Sequence, residues 1–302
     1  LEPRFLFDAF GETDSINWLP RIFDIARWHH ATPTPVATLK DLTGRRAAAF
    51  RKAIASDSEI KLAIRITFEE FDADLEAHVH SAVSGFGINP RESVLFLDFC
   101  DAHFGDVDAV SEFSSLALER VQDIGLWSQV VFQGTNYPDK NPATDGENVL
   151  VDRNEWLAWK QAATTDENVL THLTFGDYCA DNARFDFAKK GRGKPIPHYR
   201  YCTDGHWLVV RGKSKNTHAD AMRAVCNKIL RSGMFAGQDF SSADEFIYGT
   251  AKGYLGPGNA TIWREINTAH HITHVVSALG NLFGYKIQRK TITEPATQHE
   301  LL

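Results

Sequence analysis

A short apolar run followed by an amphipathic stretch recurs about six times along this 302-residue chain, at roughly thirty-residue spacing. The runs are Arg4 to Ala9, Val36 to Leu39, Ile60 to Phe68, Val94 to Asp98, Gln129 to Gln133 and Leu170 to Phe175. They are continuous rather than alternating, the pattern of parallel strands covered by helices. Between them, apolar residues fall at helical spacing: Ile16, Leu19, Ile22 and Phe23, then Thr43 to Ala55, then Leu75, Val79, Ala82 and Val83, then Val107 to Ile124. Pro20 is expected to kink the first of these or mark its start. Pro33 and Pro35 predict a turn, and Gly85 and Gly87 a helix stop.

Units repeated in this way predict an α/β fold: a closed (β/α) barrel, TIM-barrel-like, formed as a single domain over residues 1–290. Residues 291–302 are expected to be a loose tail. An open doubly wound sheet is the rival, weakened because no G-x-G-x-x-G follows the first strand. The rhythm breaks after Phe175, so the last two units are expected to be irregular. Tyr199 to Cys202, the turn dipeptide Asp204-Gly205, and Trp207 to Arg211 predict an antiparallel hairpin. His218 to Arg231 and Thr261 to Leu279 predict helices, with a glycine-rich stretch between that holds one short helix after Ser241.

Charge is unevenly spread. The formal net charge is −7, yet residues 183–232 hold twelve Lys or Arg against three Asp. That makes a positive segment on an acidic body, either a seat for phosphate groups or a solvated helix face with a mobile loop. No run reaches the roughly twenty residues that span a bilayer, and no basic-then-apolar signal opens the chain. Four Cys without C-x-x-C spacing read as reduced thiols in a cytoplasmic protein.

In parallel α/β folds, functional groups gather at the carboxyl ends of strands. Those ends give Asp8, Lys40, Glu69, Asp98, Gln133, Asp177 and Arg211. Asp8, Glu69, Asp98, Asp101 and Asp177 are expected to meet at one mouth, where clustered carboxylates favour Mg²⁺ or Mn²⁺. Helix capping is the competing use of each. A cationic group, Lys194, Arg200, Arg211, Lys213 and Arg264, suits phosphate, with internal ion pairs as the competing use. Tyr178, Tyr199, Tyr201 and Trp207 lie among these cations, placed to stack bases or to pack a core. His270 and His271 are candidate proton carriers. A zinc site is disfavoured because H-E-x-x-H is missing, and there is no G-x-S-x-G for a serine hydrolase.

The second half resembles the beta protein family, named from a phage protein and spread widely in bacteria. The resemblance rests on Arg153-Asn154-Glu155-Trp156, Phe175-Gly176-Asp177-Tyr178, Tyr199-Arg200-Tyr201, Trp207-Leu208-Val209-Val210-Arg211-Gly212, and Gly258-Asn259 to Trp263-Arg264 with His270-His271. The family pattern favours Gly two residues before the His pair, where this chain has Thr268. The resemblance implies a place in phage–host conflict, beside nuclease-like partners, and carries no agreed reaction.

Two functions are therefore expected. One is metal-assisted phosphodiester hydrolysis on a nucleic acid or nucleotide: Asp8, Asp98 and Asp177 on the metal, Lys40, Gln133, Tyr178, Arg200, Arg211, Lys213 and Arg264 on the ligand, His270 or His271 moving protons. The other is a silent recognition subunit that binds a phage protein or nucleic acid for a partner effector, without a membrane.

Overall fold

The apolar runs do become the strands of one large sheet. They are β1 (Phe5–Asp8), β2 (Pro33–Thr38), β3 (Leu62–Thr67), β4 (Ser93–Asp98) and β5 (Gln129–Gly134). After β6 (Asn148–Asp152), which lies in a different sheet, β7 (Leu173–Asp177) completes the set. Their order is β1-β2-β3-β4-β5-β7, and all five pairings are parallel. The computed structural model describes residues 5–8, 18–100, 102, 104–183 and 196–285. The chain forms two compact units. The first holds Leu1–Pro142, Leu150–Gly193 and Gly205–Trp207; the second holds Ala143–Val149, Lys194–Asp204 and Leu208–Leu302.

The closed barrel is not formed. Among the described residues the sheet is open, with β1 at one edge and β7 at the other. The physical reason lies after β7. Among the described residues no seventh or eighth parallel strand follows, and the next two strands, around residues 199–201 and 207–210, pair with each other instead. The doubly wound rival does not describe the sheet either, because strand order follows chain order without reversal.

In the first unit, α1 (Trp18–Trp28) joins β1 to β2, and α2 (Leu39–Thr43) with α3 (Ala47–Ala53) joins β2 to β3. Then α4 (Leu75–Phe86) and α5 (Val107–Ile124) follow β3 and β4, while α6 (Asn154–Thr165) and α7 (Glu167–His172) precede β7. Pro20 falls in the first turn of α1, where its missing N–H breaks no helical bond. Pro33 and Pro35 sit inside β2 rather than in a turn, opposite Phe5 and Phe7 of β1. The run expected as a strand from Leu170 is a helix to His172; Asp166 caps it by accepting from the Asn168 N–H.

Pleating sorts the sheet's side chains into two faces. One face carries Leu62, Ile64, Ile66, Leu95, Leu97, Phe132, Leu173 and Phe175, all buried. Helix α6 covers this face: Trp156 and Trp159 lie against the Phe175 ring, and the Trp159 indole donates to the Leu173 carbonyl. The other face holds a smaller apolar cluster of Val36, Ala63, Val94 and Val131 with Phe96. Toward the carboxyl ends of the strands it turns polar, with Arg65, Asp98 and Gln133.

The second unit has its own core. The hairpin is present, β8 (His198–Cys202) with β9 (His206–Arg211), in a three-stranded sheet ordered β6-β9-β8. Helices α8 (His218–Arg231), α9 (Ser242–Lys252) and α10 (Ala260–Leu282) follow. Tyr199, Tyr201, Leu208 and Val210 from the hairpin pack with Met222, Val225, Ile247, Trp263 and Ile266 from the helices. Thr217, Ser241 and Asn259 cap the three helices with side-chain oxygens. Among the described residues, no helix is long and apolar enough to cross a membrane.

Candidate functional site

The carboxyl edge of the parallel sheet is built around two acids. Asp98 ends β4, the strand between β3 and β5, and is only 2 % exposed. A carboxylate so buried needs partners. The Cys100 N–H donates to its Oδ1 at 2.8 Å. The Tyr178 hydroxyl donates to its Oδ2 at 2.5 Å, and Arg65 Nε lies 3.3 Å from the same oxygen. Arg65 reaches it from β3, one strand away and on the same face. Burial first, and the Asp98 charge second, push the Tyr178 hydroxyl well above its ordinary range. The same two causes push the Cys100 thiol up to about 12. At neutral pH both keep their protons, so neither is a ready base or nucleophile.

Asp177 ends β7. The register pairs Asp98 with Gln133 and Gln133 with Gly176, so Asp177 falls one residue beyond that row. Side chains alternate along a strand, so Asp98 and Asp177 point to opposite faces of the sheet. Asp177 accepts from the Cys179 N–H at 2.9 Å, and Arg153 Nη2 lies 3.8 Å from its Oδ2. Arg153 stands at the start of α6 on the helix-covered face and is fully buried. Its guanidinium lies over the Trp156 and Trp207 rings, and its Nε is 3.8 Å from Glu155. Glu155, 1 % exposed, also accepts from the Asn136 N–H at 3.1 Å. Burial pushes its carboxyl up to about 7, against the pull of Arg153; the Asp177 charge adds to the rise. Burial and Asp177 likewise push the Cys179 thiol up to about 12.

The structure thus brings Tyr178 to Asp98 and sets Gln133 beside it, but does not pair Asp98 with Asp177. Asp8 closes the described part of β1. Lys40 and Glu69 are exposed, Lys40 in α2 and Glu69 after β3. Asp101, His103 and Lys194 lie outside the described residues.

The remaining expected residues, Trp207 apart, belong to the second unit. Arg211 donates to the Ala143 carbonyl at 3.2 Å, and exposed Lys213 lays its stem against Gly146. Lys228 donates to the Gly146 carbonyl at 2.5 Å, so these cations hold the segment around residues 143–147. The Arg200 N–H donates to Asn267, and Arg264 is half-buried on α10. His271 is buried on the same helix. His270 is 1 % exposed, with Nδ1 3.0 Å from Asp244 and Nε2 2.8 Å from the Cys202 carbonyl. Its ring stacks on Tyr201, whose hydroxyl donates to Asp244 at 2.6 Å. Tyr201 and Trp207 are buried, so these aromatics pack a core rather than present a stacking platform.

Two residues of this edge escape a reading of strand ends. Arg65 was visible as a charge inside the apolar run Leu62-Ala63-Ile64-Arg65-Ile66, which a buried strand tolerates only with a counter-charge. Glu155 carried no signal of its own, because helix-start acids are common.

A family model described as Beta protein matches residues 4–277. No curated protein and no solved structure matches the chain.

Proposed function

We propose the following for this chain, which belongs to the Beta protein family: it is a cytoplasmic recognition component in phage–host conflict, and it binds a nucleotide or nucleic acid for a partner effector. The binding mouth is the carboxyl edge of the parallel sheet, on the Asp98 face, where ligands of such sheets gather. One observation carries the choice of binding over hydrolysis. Both Asp98 oxygens are already engaged, Oδ1 by a backbone N–H and Oδ2 by Tyr178 and Arg65. The second acid expected on a shared metal, Asp177, points to the other face. The basic segment of the second unit, with Arg211 and Lys213, supplies the electrostatic attraction of this reading.

The test uses the full chain with labelled single- and double-stranded DNA and RNA, with Mg²⁺ or Mn²⁺ present. Binding without turnover is expected, weakening as salt rises. Arg211→Ala is expected to reduce that salt dependence, and Asp98→Asn to reduce affinity. Turnover that Asp98→Ala abolishes would replace this reading with metal-assisted phosphodiester hydrolysis. Absence of any binding would end both.

A further inference from the structure

Helix α10, in the second unit, breaks the usual rule for a surface helix. Trp263, Ile266, His270 and His271 turn inward and are buried. The opposite side of such a helix normally carries charge. Here the twenty residues from Ile266 to Tyr285 contain no Asp, Glu, Lys or Arg. Ile272, Val276, Leu279 and Phe283 fall at i, i+4, i+7 and i+11, so they share one stripe, facing away from the buried side. Ile272 is 50 % exposed, Val276 46 % and Phe283 42 %.

The end of the helix extends this apolar side. Gly284 takes a left-handed backbone, φ 73°, and the Tyr285 N–H donates back to the Gly280 carbonyl at 2.7 Å. That turn folds the chain back and sets the exposed Tyr285 ring 6.5 Å from Phe283. A groove of about 480 Å³ runs along the same helix, with Phe240 and Tyr285 among its walls. Thr273, Ser277 and Asn281 line it, and the Thr273 hydroxyl is already bonded to the Ala269 carbonyl at 2.8 Å. A contiguous exposed apolar face of this kind marks an interaction surface.

We propose that this face is the interface of a homodimer, with α10 packed antiparallel against α10 of a second copy. Two observations choose a second copy over a different protein. The spacing of the stripe, four-three-four, reads the same in both directions. An antiparallel copy therefore sets Ile272 against Phe283 and Val276 against Leu279, twice each, about a two-fold axis between residues 277 and 278. The second observation is charge. A chain of net charge −7 tends to repel its own copies, but along this face no like charges meet. A different protein is usually selected by complementary charge, and this face offers it none. One helix per copy makes an interface at the low end of the specific range, below about 1,200 Å² in total, so the association is weak and reversible. The dimer does not depend on what the mouth of the parallel sheet binds.

Sedimentation velocity of the full chain across a concentration series is the first measurement. Wild type is expected to pass from monomer to dimer as concentration rises. Val276→Lys places two cations beside the axis and should weaken the dimer by about tenfold or more. The melting temperature of the dilute variant should match wild type, because Val276 is half-exposed. The second measurement is oxidative cross-linking of Ile272→Cys mixed with Phe283→Cys. Disulfide-linked dimers should form in the mixture, and far fewer with either variant alone or with wild type. Wild type that stays monomeric at every concentration overturns the proposal and gives the face to another occupant. A dimer that Val276→Lys leaves intact overturns it too. So does a mixture that cross-links no better than either variant alone, since the copies would then meet elsewhere or in parallel. Should Val276→Lys melt clearly lower, the cross-link decides alone.

Discussion

Two tripeptides of one kind, Asp98-Phe99-Cys100 and Asp177-Tyr178-Cys179, end two strands of the same sheet and come to opposite fates. Locally they are alike. Each Cys takes a left-handed backbone, φ 52° and 55°, and gives its N–H to the Asp two residues back. The difference is register. Asp98 shares a row with Gln133 and Gly176, and Asp177 lies one step past that row, so the pleat sends the two carboxylates apart. Asp98 ends with one arginine and a tyrosine hydroxyl; Asp177 shares one arginine with a second acid. Local sequence decides the turn, and pairing decides the company each acid keeps.

The sharpest break comes from the two arginines. Arg153→Met removes the guanidinium that lies beside buried Glu155 and part-buried Asp177 and is expected to destabilise by about 3–5 kcal/mol. Arg65→Met leaves Asp98 its Tyr178 and Cys100 donors and is expected to lose about 1–3 kcal/mol. Urea unfolding curves of both variants check this. Equal losses would mean the two acids are not differently supported.

Next comes pH. The Glu155 carboxyl rises from 4.5 to about 7 on folding, so the folded state holds a proton that the unfolded chain releases at lower pH. Its contribution is fully present below about 4.5 and lost as pH rises through 7, worth about 3 kcal/mol. Unfolding free energy should fall across that window in wild type, and Glu155→Gln should flatten the slope. A slope that survives in Glu155→Gln would contradict the assignment.

A smaller effect tests the link between the two ends. Tyr178→Phe removes the hydroxyl that spans from the β7 turn to Asp98 and is expected to lose about 1 kcal/mol, measured by thermal melting against wild type. Smallest of all is the difference between the two thiols. Both are pushed up to about 12, so at pH 8 iodoacetamide should alkylate each on the order of a thousandfold more slowly than a free cysteine. Mass spectrometry that finds one of them reacting quickly would show that the shared turn does not protect both.

Much of the large sheet was legible because each strand is a continuous apolar run. Val94 to Asp98 matches β4 to within one residue, and Asp204-Gly205 marked the hairpin correctly. The barrel was not legible as wrong, since closure depends on what pairs with β1, and no residue type announces that. Asn148 to Asp152 was hidden as a strand because its side chains alternate between exposed and half-buried positions, not continuous burial. The run from Leu170 reads apolar enough for a strand, but Asp166 caps a helix that takes it as far as His172. At the candidate site, the residue types at strand ends were visible from sequence, and their facing was not. Facing depends on register, and a shift of one residue reverses it.

Strand order equal to chain order also bears on how the molecule is made. Every new strand from β2 to β5 finds its template already synthesised, one connection upstream. The sheet can therefore grow by accretion while the polypeptide is still leaving the ribosome, with loop closures kept short. Only β7 must wait for a detour, through β6, before it docks on β5. That last docking brings Tyr178 to Asp98, so the acid at the mouth acquires its final partner late in biogenesis.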